Sequence, residues 1–113
     1  MKTIRYFEAG AHENPHGIDA RKLYDSKHAI VMHILLHPGE KLIKHITPVD
    51  AIFYVLEGSG IVEVGDDKKE VTKDTLIESP AFIPHCWYNK SNKTLRVLVT
   101  KVPKPLGPTK LLE

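Results

Sequence analysis

Between Ala29 and Val102 the sequence is interrupted every few residues by glycine, proline, aspartate or asparagine, and the pieces between the interruptions are rich in β-branched and aromatic residues. No stretch there repeats its apolar residues at three- and four-residue intervals. That rhythm excludes a helical bundle and predicts an all-β sandwich or barrel. Strands are expected over Ala29 to Leu36, Lys41 to His45, Ile52 to Leu56, Ile61 to Val64, Glu70 to Thr72, Thr75 to Ile77, Ala81 to Ile83, Cys86 to Tyr88 and Thr94 to Val102. Closure into a barrel of about eight strands would remove exposed sheet edges.

The flanks differ. Residues 1–28 are expected to form an N-terminal arm, in which Ile18 to Tyr24 suits one or two helical turns, and the arm packs either on its own barrel or on a second subunit. After the barrel, residues 29–102, comes a tail, residues 103–113, where Pro103, Pro105 and Pro108 oppose a regular strand or helix and predict an extended, surface-lying course.

A chain of 113 residues is one domain's worth. Its formal charge is +2 with lysines scattered among acids, so nucleic acid is not an expected partner. The apolar runs are too short and too interrupted for a membrane-spanning helix, and Met1 to Gly10 lacks the apolar stretch of a signal peptide. A cytoplasmic protein is expected. The lone Cys86 reads as a small buried hydrophobe, and the Asn-Lys-Ser and Asn-Lys-Thr runs from Asn89 to Thr94 read as a polar turn.

Two motifs carry more. Gly39, His45, Thr47, Ala51 and Gly58 form one, and Pro80, Phe82, His85 and Asn89 form the other. In spacing they resemble the two signature motifs of the cupins. The first family motif reads glycine, five residues, His-x-His, three residues, glutamate, six residues, glycine. The second ends in proline, a skipped residue, glycine, two residues, histidine, three residues, asparagine. Thr47 stands where the family has its second histidine, Ala51 where it has glutamate, and Phe82 where it has glycine.

The resemblance covers roughly residues 30–101 and implies a small single-domain cupin: a double-stranded β-helix, or jelly-roll barrel, preceded by a short N-terminal arm. It also implies that His45 and His85, about forty residues apart, meet across the barrel mouth at two of four metal-ligand positions, while Gly39, Gly58 and Asn89 serve the turns. A divalent transition metal would need further donors. Asp50 is the candidate replacement, although it would need a bulge or an irregular start after Pro48 to turn inward.

Parity along the strands fills in the pocket. Phe53 and Val55 should point inward with Ala51, and Tyr54 away; Trp87 and Asn89 share the parity of His85. The expected pocket is therefore His45, Thr47, Phe53, Phe82, His85 and Trp87, with His45, His85 and Asp50 as metal donors. On the first strand Met32, Ile34 and Leu36 make the apolar face, so His33 and His37 should look outward, into a subunit interface, with a ligand or ligand-supporting role as the lesser alternative. His12, His16 and His28 should be solvated.

Three functions suit this pattern. One is a pocket that binds a small polar ligand, an acid or a sugar, with a weak mononuclear metal site at His45 and His85. Another is a metal-dependent isomerase or dioxygenase. The third is metal-free acid/base chemistry of the kind used by sugar epimerases in the superfamily. A homodimer is expected from the family.

Overall fold

The computed structural model describes residues 1–106 and 110–112. A 3-10 turn at Tyr6–Glu8 precedes ten strands: β1 (Asp19–Asp25), β2 (Ile30–Leu36), β3 (Lys41–Ile46), β4 (Asp50–Glu57), β5 (Ser59–Val64), β6 (Asp67–Thr72), β7 (Leu76–Ser79), β8 (His85–Tyr88), β9 (Leu95–Val102) and β10 (Lys110–Leu111). They make two five-stranded sheets, ordered β1-β2-β9-β4-β7 and β10-β3-β8-β5-β6. Every recorded pairing is antiparallel. The sheets face each other as a jelly roll, consistent with the all-β reading.

The core between them follows the period of two. On β4, Ala51, Phe53 and Val55 are buried, while on β9 the buried set is Leu95, Val97 and Val99. Trp87 of β8 is buried and meets Phe53 edge-on at 5.5 Å. Asn89 is buried too. Its Nδ2 donates to the carbonyls of Leu36 (2.9 Å) and Lys93 (2.8 Å), and its Oδ1 accepts from the Ser91 amide and hydroxyl, which fixes the β8–β9 turn.

Three local expectations are corrected. Ile18 to Tyr24 is not helical: Asp19–Asp25 is a strand paired with β2, because the free edge of β2 supplies ladder partners that outweigh local propensity. Ala81 to Ile83 is a turn, since Pro80 and Pro84 bracket it and Phe82 adopts φ 65°. In the tail, Lys110 and Leu111 pair with Ile46 and His45 of β3, so the prolines at 103 and 105 do not keep the chain from returning to a sheet edge. Pro108 lies outside the described residues.

The arm packs on its own barrel. His33 and Leu35 lie on the outer face of β2, opposite Ile34 and Leu36, as parity requires. His33 is buried on that face by the chain's own arm. Tyr6 stacks on its ring at 4.1 Å, and Arg96 Nε donates to its Nε2 at 3.0 Å. Arg21 Nη1 donates to the Ala9 carbonyl at 2.7 Å, which ties the arm to β1.

Candidate functional site: an imidazole cluster in the barrel cavity

A cavity of about 280 Å³ opens between the sheets beneath the segment His12 to His16. Its walls are apolar over Ile18, Ile30, Met32, Ile34, Leu42 and Val99, with Phe53 and Ala51 beside the polar residues His16, His45, His85 and Lys101, and the exposed His12 and Glu13 border its mouth.

An extra residue in β3 aims His45 into this space. Leu42 pairs with Trp87 and His45 with His85, so three steps along β3 match two along β8. In a regular strand Leu42 and His45 would face opposite sides; the bulge lets both face inward. It also turns the polar groups of Ile43 toward imidazoles. The Ile43 carbonyl accepts from His45 Nδ1 at 2.6 Å, and the Ile43 amide donates to His16 Nδ1 at 2.9 Å.

His85 sits opposite at the start of β8. Its Nε2 lies 2.8 Å from His45 Nε2, and its Nδ1 lies 2.6 Å from Ser79 Oγ. The His45 and His85 rings meet edge-on at 4.3 Å, Phe53 packs edge-on against His85 at 5.2 Å, and the His16 ring is 5.1 Å from that of His45.

The other sequence-predicted residues lie elsewhere. Thr47 is buried, but its Oγ1 has no hydrogen-bond partner among the described residues and it does not line the cavity. Trp87 belongs to the core. Phe82 is 66% exposed, held out by its turn. Asp50 is exposed and does not join the histidines: its Oδ1 accepts from the Ala81 amide at 2.9 Å, bracing the Pro80 turn, because β4 starts in regular register and leaves Asp50 outward of Ala51. His16, expected in solvent, is instead half-buried against the cavity. Its available signal was Asn14-Pro15 before it and Gly17 after it, a turn that folds the segment back on itself. Asn14 Nδ2 donates to the carbonyls of His12 and Ile18, both at 2.9 Å.

Burial holds the imidazoles neutral. Desolvation lowers His16 to about 4, aided by the neighbouring His45 and Lys101. It lowers His85 to about 3, again with help from His45 and Lys101, and lowers His45 as well. Lys101 is itself pushed down by burial. On the outer face His33 falls to about 4 through burial and the charge of Arg96.

These shifts set the acid limb of stability. A histidine lowered by folding binds its proton more weakly in the native state than in the unfolded one, so stability is full above about pH 6.5 and falls as the unfolded chain protonates first. The loss runs until the native imidazoles protonate, near 4 for His16 and His33 and near 3 for His85. Urea unfolding at pH 5.0 should give a lower free energy than at pH 7.5. Equal values would show that the four rings titrate as they do in a peptide.

The donor set does not fit a resident metal ion. Among the described residues no group of three or more His, Cys, Asp or Glu side chains is arranged to hold one. Two imidazoles seldom retain a divalent ion alone, and here Ala51 and Thr47 stand at the family's remaining ligand positions. His16 Nδ1 has its lone pair engaged by the Ile43 amide.

A family profile for the cupin domain matches residues 32–101, most of the chain, and the two jelly-roll sheets agree with it. The chain belongs to the cupin family. This cupin is 30% identical over 103 residues to the uncharacterized protein MJ1618 of Methanocaldococcus jannaschii, a match spanning 75% of this chain and 82% of that one. Among solved structures it is similar to TT1209 from Thermus thermophilus, at 25% identity and a TM-score of 0.80 over 93% of this chain and 100% of that one. It also shares its fold with the polyketide cyclase RemF of Streptomyces resistomycificus, at 23% identity and a TM-score of 0.85 over 100% of this chain and 86% of that one. As a cupin it departs from its family motif at the ligands and keeps the turns: Gly39 and Gly58 have φ of 87° and 82°.

Proposed function

We propose that this cupin binds a small organic acid with an apolar body in the barrel cavity. The supporting observation is the lining. Long apolar walls surround one contiguous imidazole cluster, and the charge of Lys101 acts on all three of its rings. A sugar presents hydroxyls in every direction and would leave several of them facing Ile30, Met32, Ile34 and Val99 without partners, a cost of about 1–3 kcal/mol for each unsatisfied group. A carboxylate on a hydrocarbon body concentrates its polarity at one end and matches such a cavity. The acid of the two ligand classes implied by the sequence is thus the better match, and its binding needs no ion.

Thermal denaturation and calorimetry at pH 7 with benzoate, hexanoate, glucose and rhamnose test this reading. The two carboxylates should bind and raise the melting temperature, the two sugars should not, and Lys101→Met should weaken the carboxylates. Binding of the sugars in preference to the acids would overturn it.

A further inference from the structure

We infer that a directed chain of hydrogen bonds, from Ser79 through His85 and His45 to the Ile43 carbonyl, occupies the position of the family's ion and leaves His16 as the imidazole that addresses the ligand. The inference about His16 rests on the organic-acid reading; the inference about the chain does not.

The direction follows from one group that has no choice. A carbonyl oxygen only accepts, so the 2.6 Å contact from His45 Nδ1 to the Ile43 carbonyl places the His45 proton on Nδ1. In the neutral ring Nε2 is then an acceptor. The 2.8 Å contact between the two Nε2 atoms needs one proton, which must come from His85. With its proton on Nε2, neutral His85 has its acceptor at Nδ1, and the Ser79 hydroxyl, 2.6 Å away, donates to it. Every ring nitrogen of the pair is engaged with the other ring or with its own barrel. His45, Ser79 and His85 are buried, so these bonds are shielded from competing water. A metal bound by both Nε2 atoms would have to break the bond between them, move the His85 proton to Nδ1 and reverse the Ser79 hydroxyl.

His16 differs. The Ile43 amide can only donate, so the 2.9 Å bond to His16 Nδ1 makes that nitrogen an acceptor and puts the ring proton on Nε2. None of the three bonds that satisfy the buried pair uses this N–H. Of the three clustered imidazoles, His16 therefore has a donor not spent on the chain, on the segment that roofs the cavity, where the fourth lining histidine, His12, is exposed. A hydrogen-bond donor and the Lys101 cation favour a ligand atom that accepts and is negative, such as a carboxylate oxygen. His16 thus serves as a specificity residue, and the His45–His85 pair as its support.

Long-range proton–nitrogen correlation spectra of the nitrogen-15-labelled protein at pH 7 in EDTA test the chain. They should place the proton of His45 on Nδ1 and those of His85 and His16 on Nε2. After removal of EDTA, one equivalent of zinc should change neither the pair's spectra nor the melting temperature. Zinc that shifts both Nε2 resonances and moves the His85 proton to Nδ1 would overturn the chain.

Benzoate affinity tests His16. In His16→Asn the side-chain oxygen can replace Nδ1 as acceptor for Ile43, but the donor at Nε2 is gone; His16→Gln restores an N–H near the Nε2 position. Asparagine should weaken benzoate binding about tenfold or more, the scale of one hydrogen bond to a charged group, and glutamine should recover part of that loss. Benzoate binding to the asparagine variant at wild-type strength would overturn the role of His16. Failure of wild-type protein to bind benzoate or hexanoate would overturn the organic-acid reading and the His16 role together, while the spectra would still decide the chain.

Discussion

Trp87→Ala should lower unfolding stability by about 3–5 kcal/mol, the usual cost of truncating a large buried aromatic. Trp87 is 1% exposed, pairs across the sheet with Leu42 and Val62, and fills the space between Phe53 and Gly60, where an added Cβ would lie 3.2 Å from its ring. Neither sheet can close that gap without breaking ladder bonds, so a void remains. Trp87→Phe should be far milder, losing under about 2 kcal/mol, because the indole Nε1 has no hydrogen-bond partner among the described residues and its removal relieves an unsatisfied donor. Urea titrations of the two variants check this. Similar losses for alanine and phenylalanine would mean that the ring is held by its N–H after all.

Gly58→Ala should cost about as much as a core truncation. Its φ of 82° carries about 1–2 kcal/mol for a residue with a side chain, and a Cβ there would lie 2.3 Å from the Thr94 carbonyl oxygen, which belongs to backbone and cannot swing away. Displacing that strand start adds the penalty of an overpacked site, about 1–3 kcal/mol. Gly39 is the natural control. It has a φ of 87°, yet an added Cβ would meet nothing within 4 Å, so Gly39→Ala should show the conformational cost alone. Equal losses at the two positions, measured by urea unfolding, would show that the Thr94 contact does not govern the effect.

Much of the fold is written in the turns. Gly39, Gly58 and Asn89 mark strand ends by chemistry that acts over a few residues, and period-two burial of Ala51, Phe53 and Val55 follows from a single exposed-or-buried choice. The approach of His45 to His85 is implied by the resemblance of the two motifs to those of the cupins and not by counting along a regular strand, since β3 is bulged between Leu42 and His45. What escaped depends on contacts distant in sequence. Local propensity at Ile18 to Tyr24 says nothing of the unpaired edge of β2, so it suggests a helical turn where strand β1 forms. The bulge that turns Ile43 has no glycine to announce it. His16 reaches the cavity across 27 residues through one backbone amide, a contact no periodicity encodes. Asp50 stays outside the cluster because regular pairing of β4 with β7 and β9 defeats the irregular start it would need to turn inward.

The roof over the cavity is built before the first strand begins: the side chain of Asn14 bonds within its own bend, while the His12 amide on the Ala20 carbonyl (2.7 Å) and the Ile43 amide on His16 fasten that bend to β1 and β3. One recognising side chain, His16, is therefore carried outside the barrel strands, while the walls and Lys101 stay on strands that also make the fold. A relative could exchange this short bend for another and acquire a new guest molecule while the packing that makes the barrel fold stays as it was.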